Sequence, residues 1–570
     1  MTTTRSGEDQ HGLVDQAATQ LAEGSIGRRE FIRFATLLGM AAGVAYTRAG
    51  LAAPQMAAPT LPFPAVSAEA KRGGVLRIGQ RVTRMIDPAL YNWLEMSNQT
   101  RPICEFLTLV GTDNVVRPML LESWLPAPDL KVWTLNVRKG VMWHNGEELT
   151  ADHVAWNIRR WSDPTLGSSN LGCSTFAALT EYVQAPNSKA KPIRRPLANG
   201  VEVLDRYTVQ LNLAHAVLSV PEDFGEYGAI VVHPSFVAPF SDRPIGTGPY
   251  TLAELRVGEH CILKRVTRMS NGREFRYWGG EVYLDEIRFY DYDLQNQPAA
   301  LASGSIDALF ELTIEQIELA RSIPGARILT VPAAQTVCCR MQVDVKPFDD
   351  IRVRRAVVLA SDNAVIKRLV FGDHGAVGGN FHVAPVHPEY FPLPPPTRDV
   401  AAARRLLMEA GYANGIDLTI TVGNTDGPWM QAVCEALRNQ VKDAGINLAV
   451  DVVPESKYQE IWNKVPFGAS SWGHRPLGTM VLSQAFRTGA SWNESHFSSP
   501  EFDAALSEAE ATLDIAQRRE KMQTVERLLR DAAVMIQPLW RPVFSLASSR
   551  VNGYAAHPAR QIHLNKVWLS

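Results

Sequence analysis

The sequence predicts an α/β protein of two lobes joined by a hinge that the chain crosses twice, and three observations carry this. The chain has 570 residues, far more than one hydrophobic core usually encloses. Its first half mixes short strands and helices, whereas from Asp399 onward helices and strands alternate in the βαβ order that builds a parallel sheet. A last extended run near the C-terminus is placed to rejoin the first lobe.

Bulk composition sets the class and removes one partner. Hydrophobic residues make up 46% and charged residues 20%, the balance of a globular chain. With 57 basic and 59 acidic side chains the formal net charge is -2, so no overall field gathers nucleic acid. Six cysteines, at 104, 173, 261, 338, 339 and 434, show no C-x-x-C pair or metal-like spacing, and no zinc site or cofactor is expected from them. Adjacent Cys338 and Cys339 suit buried small hydrophobes, and one or two disulfides stay open.

The N-terminus reads as an export signal. "GRREFIRFATLLGMAAGVAYTRAGLAAP" pairs Arg28 with Arg29 and follows them with Phe31, a modest apolar run and small residues near Ala53. It resembles the twin-arginine signal, a route for proteins already folded, although Gly27 stands where Ser or Thr is common. The run from Phe34 to Tyr46 is shorter than the roughly 20 residues that span a bilayer. Cleavage is expected near Ala52 or Ala53, which makes residues 1–52 the signal and 53–72 a spacer. The first cysteine is Cys104, so no lipid-anchoring Cys stands at that point, and the expected product is freely soluble in the periplasm.

The folded body begins at "GGVLRIGQ", a strand opened by glycines. "WTLNVRKG" places Trp133, Leu135 and Val137 on one face, and "YTVQLNL" does the same with Tyr207, Val209, Leu211 and Leu213. A boundary is predicted where "VPAAQTVCCRMQVDVKPFDD" meets a helix begun by Asp349 or Asp350, with Val353, Val357 and Ala360 inward. Farther on, Asp399 caps a helix that Gly411 stops, and "IDLTITV" is a strand. Pro428 takes the first position of a helix striped by Val433, Leu437 and Val441, and "INLAVDVV" is the next strand. "MQTVERLLRDAAVMIQPLW" is an amphipathic helix leading into the extended "RPVFSLASS". The expected division is 73–335 with 541–570 as lobe I and 336–540 as lobe II.

One stretch invites a chemical reading. "VMWHNGEELTADHVAWNIRRW" packs two histidines and three carboxylates between His144 and Trp156, yet it parses as a turn and a helix start. Asn145-Gly146 turns, Thr150 caps, Asp152 sits in the first helical turn, and Val154, Ile158 and Trp161 form a buried stripe. His144 and His153 lack the one-face i, i+4 geometry of a helical metal pair, so no metal ligands are expected here.

The same region, with "ESWLPAPDLKVWTLNVRKG" before it, resembles the signature of the family 5 extracellular solute-binding proteins, the large peptide, nickel and opine receptors of ABC transporters. Further family-like stretches follow in register: "PIGTGPY", "WGGEVYLDEIRFY", "LASGSIDALF", "PFDDIRVRRAVVLASD" and "SSPEFDAALSEAE". Together they cover about Gly73 to the C-terminus. His153 departs from the pattern, which usually has an acidic residue there. The resemblance implies the two-lobed periplasmic binding protein fold of the large, peptide-receptor type. It also implies a solute held between lobes, closure as a population shift, a membrane permease as partner, a monomer, and neither cofactor nor catalysis.

By family position three loops face the solute. They offer Tyr91, Asn92 and Trp93, then Asn380 and His382, then Trp472, His474 and Arg475. Trp93 and Trp472 read equally as core packing, and Arg475 as a solvated charge. Dipeptide receptors of the family place an acid near "WGHRPLGTM" and an arginine near "NTDGPW"; this chain has no acid in the first stretch and Asp426-Gly427 in the second. A zwitterionic peptide then loses charge-assisted hydrogen bonds of about 1.5–3 kcal/mol each. Arg475 with His474 suits a carboxylate, and an opine or sugar-acid conjugate fits; a peptide is the alternative. His382, His387 and His474 are too scattered to form a nickel ligand set. The rival class, a periplasmic hydrolase, finds no G-x-S-x-G, H-E-x-x-H or phosphate loop. Transport and signalling uses of the fold stay open.

Overall fold

The computed structural model describes residues 12–40, 42–51, 63, 66–184 and 193–570. The expected cleavage point and the Pro/Ala-rich stretch at 54–65, apart from Phe63, lie outside them. The chain forms two units: Met1–Thr330 with Leu513–Ile515 and Phe544–Ser570, and Val331–Thr512 with Ala516–Val543. The strand Ala326–Met341 leads into the second unit and the strand Leu539–Ser548 leads back.

In the first unit the strand Val75–Gln80 pairs in parallel with Glu286–Asp291 on one side and Ala308–Leu312 on the other. His260–Arg265 and Tyr250–Arg256 extend the sheet antiparallel, and Leu546 and Ala547 of the returning strand lie opposite Leu309 and Ala308. Parallel strands need both faces covered, and Leu76, Ile78, Leu263, Ile287 and Phe289 accordingly share one buried core. A separate antiparallel sheet orders Leu121–Pro126, Val132–Val137, Thr208–Asn212 and Val201–Asp205. Its alternation is the expected one, with Trp133, Leu135, Val137, Val209 and Leu211 buried. The helix Ala151–Trp161 packs on it through buried Val154, Ile158 and Trp161. Thr150 holds the N-cap position of that helix, but its hydroxyl makes no capping bond.

The second unit contains the expected βαβ unit, Ile416–Val422 pairing in parallel with Ile446–Val452 across the helix Trp429–Val441. Pro428 stands one residue earlier than expected, as N-cap, because its φ of -66° serves either position. Phe467–Trp472 joins the other side of Ile416–Val422 in parallel and pairs antiparallel with residues 336–341. Asp350 and Asp399 cap their helices by accepting from Arg352 N and Ala402 N. The core gathers Trp472, Phe486, Phe502, Met522 and Leu529.

All six cysteines are buried, and none is in a disulfide. The expected signal region contains the helices Gly12–Ala22, Arg28–Leu37 and Ala42–Arg48. Arg28 and Arg29 are exposed, Phe31, Ile32 and Phe34 are buried, and Trp124 Nε1 donates to Leu37 O at 2.8 Å. Among the described residues no helix is long and apolar enough to cross a membrane.

Candidate solute-binding residues

In the second unit two loops converge around a cluster of rings. The first contains Asn380 and His382, both in the left-handed region at φ 62° and 57°, which folds the backbone tightly. The second leaves the sheet after Trp472, where Gly473 and Pro476 end strand pairing. The His382 ring lies 5.3 Å from Trp472, 5.7 Å from Phe486 and 5.9 Å from Trp540. Trp540 also flanks His387 at 6.4 Å, and His387 in turn flanks His474 at 6.4 Å. His382, Trp472, His474 and Arg475 thus share one neighbourhood.

What each side chain can do there differs from expectation. Asn380 Oδ1 accepts from Asn363 Nδ2 and Gln537 N, both at 2.8 Å, so this buried amide braces the loop. Burial pushes the His382 imidazole down to about 3, leaving it neutral with Nδ1 3.8 Å from Cys338 Sγ. His474 is buried, and its Nδ1 accepts from Ala334 N at 3.0 Å, so it does not stand as a cation beside Arg475. Trp472 is core, its Nε1 donating to Glu494 Oε1 at 2.9 Å. Arg475 is partly exposed, with Nε donating to Gln484 Oε1 and Nη1 to His474 O, each at 3.2 Å.

In the first unit the 91–93 loop splits. Tyr91 is fully buried in the core with its hydroxyl 2.8 Å from Thr100 Oγ1, because the turn Pro88–Leu90 directs it inward. Asn92 and Trp93 are exposed, Trp93 at the N-cap of the helix Leu94–Thr100.

Sequence reasoning missed a buried ion pair. Arg541 Nε and Nη2 donate to Asp426 Oδ2 at 3.0 and 2.7 Å, and the guanidinium lies 5.5 Å over Trp429. The partners are 115 positions apart, and only the acid drew notice as a departure from the peptide-receptor pattern.

The family model for bacterial extracellular solute-binding proteins, family 5 middle, matches residues 115–494. The chain belongs to this family. It is 23% identical over 517 residues to the periplasmic oligopeptide-binding protein OppA of Haemophilus influenzae, covering 85% of this chain and 91% of that one. The solved structure of the Escherichia coli murein tripeptide binding protein MppA matches with TM-score 0.73 at 20% identity, over 89% of this chain and 99% of the other. AgaA from A. tumefaciens R10, in complex with agropinic acid, matches with TM-score 0.72 at 18% identity, over 87% and 99%. The fold is the two-lobed one of periplasmic binding proteins, and this family 5 protein is a solute-binding receptor and not an enzyme.

Proposed function

We propose that this family 5 protein is a periplasmic receptor for a small anionic, conjugated solute of the opine or sugar-acid kind, which it delivers as a monomer to the permease of an ABC importer. The observation that carries the reading is the disposition of charge. Asp426, where the peptide-receptor pattern has an arginine, is closed into its pair with Arg541, while the 470–480 stretch offers a partly exposed Arg475 and no acid. A zwitterionic peptide needs an anchor of each sign, whereas a carboxylate needs only the guanidinium. In this reading the lobes are 73–335 with 541–570 and 336–540, and residues 1–52 serve as a twin-arginine signal through Arg28 and Arg29 without a lipid anchor.

Similarity to an oligopeptide-binding protein favours a peptide instead, and one experiment separates the two. Thermal unfolding is followed against opines, sugar acids, dipeptides and oligopeptides. A ligand at 100 times its dissociation constant adds about 2.7 kcal/mol, a shift of a few degrees. Opines or sugar acids should give the shift, and Arg475→Ala should weaken their binding about 10- to 150-fold. A shift confined to peptides, or unchanged affinity in Arg475→Ala, would overturn the anionic reading.

A further inference from the structure

We propose that Glu147, His153 and His233 form a binding site for one borderline divalent transition-metal ion of the zinc type in the first unit. One ligand-capable atom of each lies within 4.8 Å of the other two. Three segments contribute: Glu147 from the turn after Asn145-Gly146, His153 from the first turn of the helix Ala151–Trp161, and His233 from a loop 86 positions beyond Glu147. Asn157, one helical turn after His153, fixes where that loop arrives. Its Nδ2 donates to Val232 O at 2.8 Å and its Oδ1 accepts from Val232 N at 3.0 Å. This clasp sets the His233 ring 5.5 Å from that of His153. Fully buried Trp143 supplies an apolar wall, 5.1 Å from the His233 ring and 6.0 Å from the His153 ring.

The donor set runs from dry to wet, the His233 side chain being 7% exposed and that of Glu147 58%. Two imidazoles and a carboxylate are the ligand set of an open zinc site, in which water fills the remaining positions. His233 Nε2 and Glu147 Oε2 are already 2.9 Å apart. A tetrahedral shell with bonds of about 2.0 Å has ligand atoms roughly 3.3 Å apart, so rotation of exposed Glu147 and half-buried His153 closes the set. Ser235 meets His233 Nδ1 twice, through Oγ at 2.7 Å and through its backbone N–H, which donates at 3.1 Å. A metal at Nε2 displaces Asn145 Nδ2, now 3.3 Å away, and puts the ring proton on Nδ1, where Oγ accepts it and the N–H bond is given up. Trp143 Nε1 donates to His153 Nδ1 at 3.1 Å, so metal binding exchanges that hydrogen bond for a metal bond. His153 is also the residue that departs from the family pattern, which gives this chain a ligand its signature region would otherwise lack.

The test titrates the untagged, chelator-stripped full chain with Zn²⁺, and separately with Co²⁺ to read its visible absorption. The wild type should take up one Zn²⁺ per chain, show ligand-field bands with Co²⁺ and melt at a higher temperature with metal. Loss of an outer-shell partner alone weakens metal binding about 10- to 100-fold, so His153→Gln and Glu147→Gln should each weaken Zn²⁺ binding by at least about 10-fold. Their melting temperatures without added metal should stay near wild type. Glu147 is exposed, so Glu147→Gln decides the matter even if His153→Gln folds poorly. No stoichiometric uptake by the wild type, or uptake that survives both substitutions, would leave the cluster a hydrogen-bonded packing motif and end the proposal.

Discussion

Glu105 in the first unit and Glu494 in the second are built almost alike and differ in one partner. Both are buried. Each accepts an indole N–H, from Trp278 at 2.6 Å and Trp472 at 2.9 Å, and a hydroxyl, from Thr247 at 2.9 Å and Ser470 at 2.5 Å. The remaining donor is the Tyr277 hydroxyl at 2.5 Å for Glu105 but Arg340 Nε at 2.8 Å for Glu494. Burial pushes the Glu105 carboxyl up to about 7 against the pull of its neutral donors and of the nearby Arg138 guanidinium. Glu494 instead meets a guanidinium that is itself held by Val465 O and Trp462 O. The two buried carboxyls thus share an indole and a hydroxyl donor and differ in whether the third direct donor is neutral or charged.

The comparison breaks hardest at Arg340. Arg340→Met strands Glu494 without its counter-charge and should cost about 3–5 kcal/mol in urea unfolding at pH 7. Adding Glu494→Gln should recover much of that loss, and a double variant as unstable as the single one would show that the stranded charge is not the cause. A smaller effect lies in the pH dependence of Glu105. Its folded value of about 7 exceeds the ordinary 4.5, so the stability it contributes is fully present below about pH 4.5 and is lost as pH rises toward 7, up to about 3 kcal/mol. Glu105→Gln should flatten part of this slope in a series of unfolding curves. Some slope should survive, because burial also pushes Asp223 up to about 7; an unaltered slope would contradict the assignment to Glu105. The smallest effect sharpens the contrast: Thr247→Val removes one neutral donor and should cost about 1 kcal/mol, more at pH 8 than at pH 5. Equal costs at both values would mean that the carboxyl does not change state between them.

Whether a feature is legible in the sequence depends on how far apart its partners lie. The helix Val400–Glu409, its cap Asp399 and the stop at Gly411 occupy about a dozen consecutive residues, so propensity and periodicity disclose them together. Family position likewise pointed to the loop from Trp472 to Arg475 as a candidate. The role of each side chain there was hidden, because it depends on a distant partner: Ala334 takes the His474 lone pair across 140 positions, and Arg541 closes Asp426 across 115. Tyr91 looked like surface aromatic area until Thr100 and the core claimed it. His153 reads as an oddity of a helix cap for the same reason, since nothing local announces His233.

The six buried thiols carry a consequence for the chemical durability of the protein. Burial raises Cys104 and Cys338 well above the ordinary thiol range, so they stay protonated and unreactive. None of the six lies in a disulfide, and the Cys434 thiol packs against that of Cys339. The same shielding slows their oxidation wherever the protein meets an oxidant.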